Sequence, residues 1–249
     1  MSFPVTPPPV PAVVRRLAAG RPLRAVWRNE LGDVTFRVGK TFGTGAEFIK
    51  VGGVHSPDFA SEAQRLRWAA PYLPVPPVID FGRADDVAWL RTGGLSGVSA
   101  VHPRWQAAPA VAVTAIAVGL RTMHDTLPVA SCPFDWSVAS RLPVLHPTHR
   151  ANLEDPPPID QLVVCHGDAC APNTLIDDVG RYCGHVDLGE LGVADRWADL
   201  AVATLSLGWN YRGPTAGRNW EPEFFAAYGI DPDPVRIDYY RRLWEDPTL

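Results

Sequence analysis

The stretch Val164-Cys165-His166-Gly167-Asp168-Ala169-Cys170-Ala171-Pro172-Asn173, followed by His185-Val186-Asp187-Leu188-Gly189, decides how the rest of the chain is read. Short apolar runs at 163–165, 175–176 and 185–188 predict three short strands around polar turns. Asp168, in a loop after a strand, is placed to accept a proton from an attacking hydroxyl. Asn173, five residues on, offers a neutral oxygen, and Asp187, fourteen residues further, a charged one. Oxygen ligands are what Mg2+ prefers. Phosphoryl transfer asks a protein for a positioned acceptor, a group to take its proton, and neutralised polyphosphate charge. Gly189 is expected to let the loop turn away sharply after Asp187. The competing reading makes His166 and Asp168 turn residues before a helix and Asp187 a helix cap. It needs five positions to match in order by accident.

Working outward, residues 195–207 (DRWADLAVATLSL) have the composition of a buried helix, and 234–244 of an amphipathic one. Residues 109–127 are Ala- and Val-rich and close on Met123 and His124, whereas 132–162 are loaded with proline and read as loop. The segment 93–97 (GGLSG), with three glycines in five residues, is the linker candidate. Before it the pattern suits strands: two in 25–36 around a turn at Gly32-Asp33, then 46–51 and 87–92. Residues 61–72 carry Leu66, Ala69 and Ala70 at helical spacing, with Ser61 or Asp58 able to start the helix and 71–77 ending it. Residues 1–13, Pro-rich without a basic or apolar region, read as an extended leader and not a secretory signal. The expected fold is α+β and bilobal: a small antiparallel sheet with one helix over 1–92, a hinge at 93–97, and a mainly helical lobe over 98–249.

Within the first lobe Lys50 falls on a strand and Glu62 near the start of the next helix. In this arrangement a lysine contacts nucleotide phosphates while a glutamate steadies it. Residues i and i+2 of a strand share a face, so Phe48 looks the same way as Lys50; stacking on adenine and core packing are both open to it. Of 23 basic residues only Lys40 and Lys50 are lysines, which singles out Lys50 further.

Charge is uneven. Residues 1–150 hold 16 basic against 10 acidic side chains, and 151–249 hold 7 against 17. That suits an anion held in one part and a cation in another, although acidic loops that keep a protein soluble explain it equally. No basic stripe with interleaved aromatics points to nucleic acid, and no apolar run of about 18 residues points to a membrane. Four cysteines without framework spacing fit a reduced, cytoplasmic chain. A zinc cluster of Cys165, His166 and Cys170 lacks a fourth ligand at sensible spacing.

These motifs resemble the aminoglycoside phosphotransferases, relatives of the protein kinases, and most closely the 3′-phosphotransferase branch. The resemblance rests on HGDACAPNTL (166–175), GHVDLGELGVADRWADLA (184–201), SCPFDWSVASRL (131–142) and DPVRIDYYRRLWE (233–245). It implies a protein-kinase-like fold, ATP as phosphoryl donor, Asp168 as catalytic base, and Asn173 and Asp187 as Mg2+ ligands. It also implies that Asp199 braces the loop of Asp168 and that the backbone of Gly93, Gly94 and Leu95 meets the adenine edge. The acceptor it implies is a hydroxyl of a small cationic molecule, an aminoglycoside or related amino sugar. At the acceptor end the chain departs from the pattern. A proline-rich stretch replaces a longer helical insertion, Glu190 follows D-L-G where many relatives have arginine, and 210–220 is rich in aromatics and glycine. Glu190, Asp195, Glu221 and Glu223 are the candidate acceptor contacts, each also readable as a solvated surface charge. Three alternatives stay open: a neutral hydroxylated metabolite as acceptor, a nucleotide-binding protein that has lost transfer, and a metal-dependent hydrolase using His166 and Asp168. The last leaves Lys50 and Glu62 unexplained.

Overall fold

A computed structural model describes residues 6–29, 32–40, 43–53, 58–84, 86–211 and 218–244. Contacts divide the chain into two compact units, residues 1–96 and 97–249.

The first unit contains α1 (Ala12–Ala18), β1 (Leu23–Arg28), β2 (Val34–Val38), β3 (Glu47–Gly52), α2 (Phe59–Ala69), β4 (Val78–Ala84) and β5 (Val87–Gly93). Its sheet runs β1-β2-β3-β5-β4, antiparallel throughout. The register sets Phe36 opposite Ile49 and Val34 opposite Val51, so these apolar side chains share one face. Val13, Val14 and Ala18 of α1 pack against that face and bury it with Trp89. Two expectations are corrected here. The leader ends earlier than expected, because the apolar positions of AVVRRLA repeat at helical spacing and Val13 is buried. The sheet also gains β4, an edge strand whose sequence VIDFGRA is mostly half-exposed and interrupts its strand formers Val78, Ile79 and Phe81 with Asp80, Gly82 and Arg83. Helix α2 starts from Asp58, whose carboxylate accepts the Ala60 N–H at 3.1 Å, rather than from Ser61. Its buried stripe is Phe59, Glu62, Ala63, Leu66 and Ala69; Ala70 lies exposed beyond it.

The second unit contains β6 (Val98–Ser99), α3 (Pro103–Gln106), α4 (Pro109–Thr126), α5 (Val138–Arg141), α6 (Pro147–Ala151), β7 (Leu162–Cys165), β8 (Thr174–Ile176), β9 (Tyr182–His185), β10 (Gly192–Asp195), α7 (Trp197–Asn210), α8 (Glu221–Tyr228) and α9 (Pro234–Trp244). Two small sheets, β10-β7 and β6-β8-β9, carry the turns that matter. Helix α4 packs on α8 and α7 on α9. The expected loop at 132–162 contains two short helices, α5 and α6, and α8 follows a segment that was read only as an aromatic wall. The expected strand at 185–188 lies earlier, because the ladder to β8 ends at His185 and the chain turns at Asp187. No helix among the described residues is long and apolar enough to cross a membrane.

Candidate active site

Strand β7 runs into a loop at 166–168 whose backbone is fixed from behind. Asp199, fully buried in the first turn of α7, accepts the N–H of His166 at 2.6 Å on Oδ2 and that of Gly167 at 2.9 Å on Oδ1. Its place in the first turn also suits a negative charge. Burial alone would raise its pKa, but the bond from His124 and the backbone N–H groups outweigh that, and Asp199 sits below the ordinary carboxylate value. His166 Nε2 donates to the Val186 carbonyl at 3.0 Å, which leaves Nδ1 as the acceptor of the Asp168 N–H at 3.3 Å. Gly167 has φ of 86°, and a Cβ on it would lie 2.2 Å from the carbonyl oxygen of Glu190. Only glycine allows this packing of the 166–168 loop on the turn after Asp187.

The three expected phosphoryl-transfer residues come together here. The Asn173 side-chain amide donates to the Asp168 carbonyl at 2.9 Å and to Asp168 Oδ2 at 3.0 Å. With both amide hydrogens on Asp168, Asn173 offers Oδ1 to any cation. The Val186 N–H donates to the Asn173 carbonyl at 3.0 Å, which ties the segment of Asp187 to that of Asp168. Asp187 takes the left-handed conformation itself, at φ 63°, so it carries the sharp turn that the sequence suggested for Gly189. Asp168 is half-buried, and its Oδ1 has no nitrogen or oxygen donor. Burial and the nearby charge of Asp187 hold its pKa above the usual value against the Cys170 thiol and Asn173. The Asp168 and Asp187 carboxylates beside a neutral amide oxygen form a hard-oxygen set that fits Mg2+.

In the first unit Lys50 Nζ lies 3.0 and 2.9 Å from the two oxygens of Glu62, whose side chain is 5 % exposed. Register puts Phe48 beside Thr92 and Lys50 beside Leu90, on the face opposite α1. Phe48 is half-exposed rather than buried in the core. The N–H groups of Gly93 and Gly94 are already used, by the carbonyls of Pro77 and Ala46, both at 2.8 Å. Those two donors are therefore not what an adenine edge would meet. Gly94 is required sterically, since a Cβ there would lie 2.3 Å from the Gly43 carbonyl oxygen. Leu95 is half-exposed beside it.

The acceptor candidates fare differently. Asp195 is 3 % exposed and accepts the N–H groups of Asp160 at 2.8 Å and Trp197 at 3.2 Å, so it braces the start of α7 instead of facing an acceptor. Glu221 pairs with Arg241 at 2.5 Å, and Glu223 with Arg218. Glu190 is exposed on the turn after Asp187. The aromatic wall at 210–220 lies largely outside the described residues. Sequence reading passed over His124, Ser206 and Asn210. Ser206 Oγ accepts the Ala171 N–H at 2.9 Å and an Asn210 amide hydrogen at 3.1 Å. The available signal was a polar residue within an otherwise apolar helical stripe. Cys165 stands close to His124 and Asp199, but its thiol donates to the Asp195 carbonyl at 3.4 Å and burial pushes its pKa well up, so this trio is hydrogen-bonded rather than a thiolate site.

Comparison with known proteins agrees with this geometry. Residues 149–240 match the model of the phosphotransferase enzyme family. An aminoglycoside 3′-phosphotransferase of Streptomyces fradiae is 32% identical over 214 residues, covering 76% of this chain and 79% of that protein. The crystal structure of a type VIII aminoglycoside 3′-phosphotransferase superposes with a TM-score of 0.73 at 29% identity, covering 90% of this chain and 93% of its own. An aminoglycoside phosphotransferase from Streptomyces rimosus, in complex with ADP and streptomycin, matches in fold with a TM-score of 0.69 at 24% identity over 93% of this chain and 96% of its own.

Proposed function

This chain belongs to the aminoglycoside phosphotransferase family, with its protein-kinase-like fold, and on that premise we propose that it transfers the γ-phosphoryl group of ATP to a hydroxyl of an amino sugar of the aminoglycoside class. The observation that carries the reading is Asp168, half-buried, oriented by Asn173 and set on a loop whose backbone Asp199 holds. Asp168 orients the acceptor hydroxyl and takes its proton; its raised pKa strengthens it as a base. Asn173 Oδ1 and Asp187 would hold Mg2+, which neutralises polyphosphate charge when bound. Lys50, steadied by Glu62, draws charge off the phosphates, and Phe48 offers a half-exposed ring to the base.

A second reading has its own support. Arginines pair with Glu221 and Glu223 and backbone amides occupy Asp195, so these expected cation contacts are already engaged. That favours an acceptor with fewer ammonium groups, down to a neutral sugar or alcohol. Acceptor-dependent ADP release from Mg-ATP, measured across aminoglycosides, simple amino sugars and neutral polyols, separates the two readings. Asp168→Ala is expected to lower turnover about 10³-fold while nucleotide affinity changes less than twofold. Wild-type turnover in that variant removes Asp168 as the base, and failure to bind Mg-ATP removes the proposal altogether.

A further inference from the structure

Behind the 166–168 loop a chain of buried hydrogen bonds runs on past Asp199. His124 of α4 lies 3.0 Å from Asp199 Oδ2 through Nε2, and on its other side Nδ1 lies 2.8 Å from the hydroxyl of Tyr228, the last residue of α8. Asp199 is 0%, Tyr228 3% and His124 5% exposed. Counting protons sets the direction of the bond to Asp199. Asp199 already accepts two backbone N–H groups and lies below the ordinary carboxylate range, so it is an anion and only accepts. His124 Nε2 therefore carries a hydrogen. On the other side of the ring Nδ1 meets the Tyr228 hydroxyl, which can donate or accept and so satisfies it. Tyr228 is itself well held. The Arg121 guanidinium, one turn before His124, lies 5.7 Å over its ring and donates to its carbonyl at 3.3 Å, and Gly229 at φ 91° ends α8 directly after it.

We propose that Tyr228 is a positioning residue for phosphoryl transfer: its hydroxyl holds the His124 ring in the orientation that keeps Nε2–H on Asp199, and Asp199 on the backbone of the 166–168 loop. It acts on Asp168 from α8 without touching a substrate. Without the hydroxyl, Nδ1 is left buried with no partner, and the ring turns to find one, which draws Nε2–H off the Asp199 carboxylate. The carboxylate shifts, the loop amides follow, and the base loses its alignment, which lowers turnover rather than substrate affinity. The inference rests on Asp168 being the catalytic base.

The test is Tyr228→Phe, with three readouts. The Nε2–H signal of His124 in ¹H–¹⁵N spectra, with His124→Gln as the assignment control, is expected to exchange slowly with water in the wild type and about tenfold faster in the variant. Turnover per active enzyme is expected to fall about tenfold, with KM for ATP and acceptor within twofold. In a His124→Gln background, where there is no imidazole ring to hold, adding Tyr228→Phe is expected to change turnover less than twofold. Unchanged turnover, unchanged exchange of the His124 Nε2–H, or an equal loss in both backgrounds overturns the proposal. Failure of the underlying reading looks different: the Nε2–H exchanges faster as expected, but Asp168→Ala keeps full activity.

Discussion

Glu62 in the first unit and Asp199 in the second are both almost fully buried carboxylates, and each holds a group that the proposed chemistry needs. They hold those groups by different means. Glu62 grips the ammonium of Lys50, at the end of a long side chain that is itself 22% exposed. Asp199 grips backbone: two consecutive N–H groups and a histidine, with no flexible stem between the anion and the loop it positions. A side-chain grip tolerates local adjustment and degrades gradually. A backbone grip fixes direction, and its loss moves every atom of the loop. The difference matches the tasks. A lysine that neutralises phosphates needs only to arrive near them, whereas a base must sit in line with one hydroxyl.

The hardest test of this contrast is Asp199→Asn, which keeps the shape but replaces an acceptor oxygen with a donor facing a backbone N–H. We expect turnover to fall at least 10²-fold and stability by about 2–4 kcal/mol in urea titration. Because its pKa is depressed in the folded state, Asp199 contributes fully above the ordinary carboxylate value, and wild type and variant converge as pH falls below it. A smaller effect than that of Glu62→Gln would break the comparison. Next, Lys50→Met should raise KM for ATP about tenfold and cost about 1–3 kcal/mol by leaving Glu62 buried without its cation. The double variant Lys50→Met/Glu62→Leu should recover the stability and not the KM, which separates packing from phosphate contact in one pair.

The smallest expected effect concerns a charge cluster on the opposite face. Hydrogen bonds from Arg21, then Arg91, draw Glu47 from the ordinary 4.5 to about 2 against the cost of burial. A lowered pKa contributes stability that is complete above about 4.5 and is lost as pH falls toward 2. Arg21 is 38% exposed, so solvent screening reduces the effect, and Glu47→Gln should cost about 1 kcal/mol at pH 7 and almost nothing near pH 2. Thermal unfolding across that range measures it. A constant difference at all pH values would assign the loss to packing instead of charge.

Local chemistry was legible where one short segment carried the signal. The oxygen trio Asp168, Asn173 and Asp187 spans twenty residues, and the structure brings its segments together through Asn173, His166 and Val186. Lys50 and Glu62 were readable from strand period and helix start, and they meet at 2.9 Å. Helix α9 was readable from its amphipathic spacing to the residue. Strand β4 was not, because an edge strand tolerates polar and glycine positions that erase its period. Helix α1 was hidden by the prolines before it.

From the sequence alone came the spacing of the motifs, the switch from strand to helix pattern near Gly93, and the residue types able to hold phosphate and magnesium, because each rests on neighbours a few positions apart. Tertiary structure decided which carboxylates were available. Asp195, Glu221 and Glu223 look alike as charges in a sequence, yet one is capped by backbone and two are paired with Arg241 and Arg218. It also decided that His124, Asp199 and Tyr228, up to 104 residues apart, form one hydrogen-bonded line. Helix packing, not local propensity, chooses such partners, since a buried polar group takes whichever donor or acceptor the fold sets beside it.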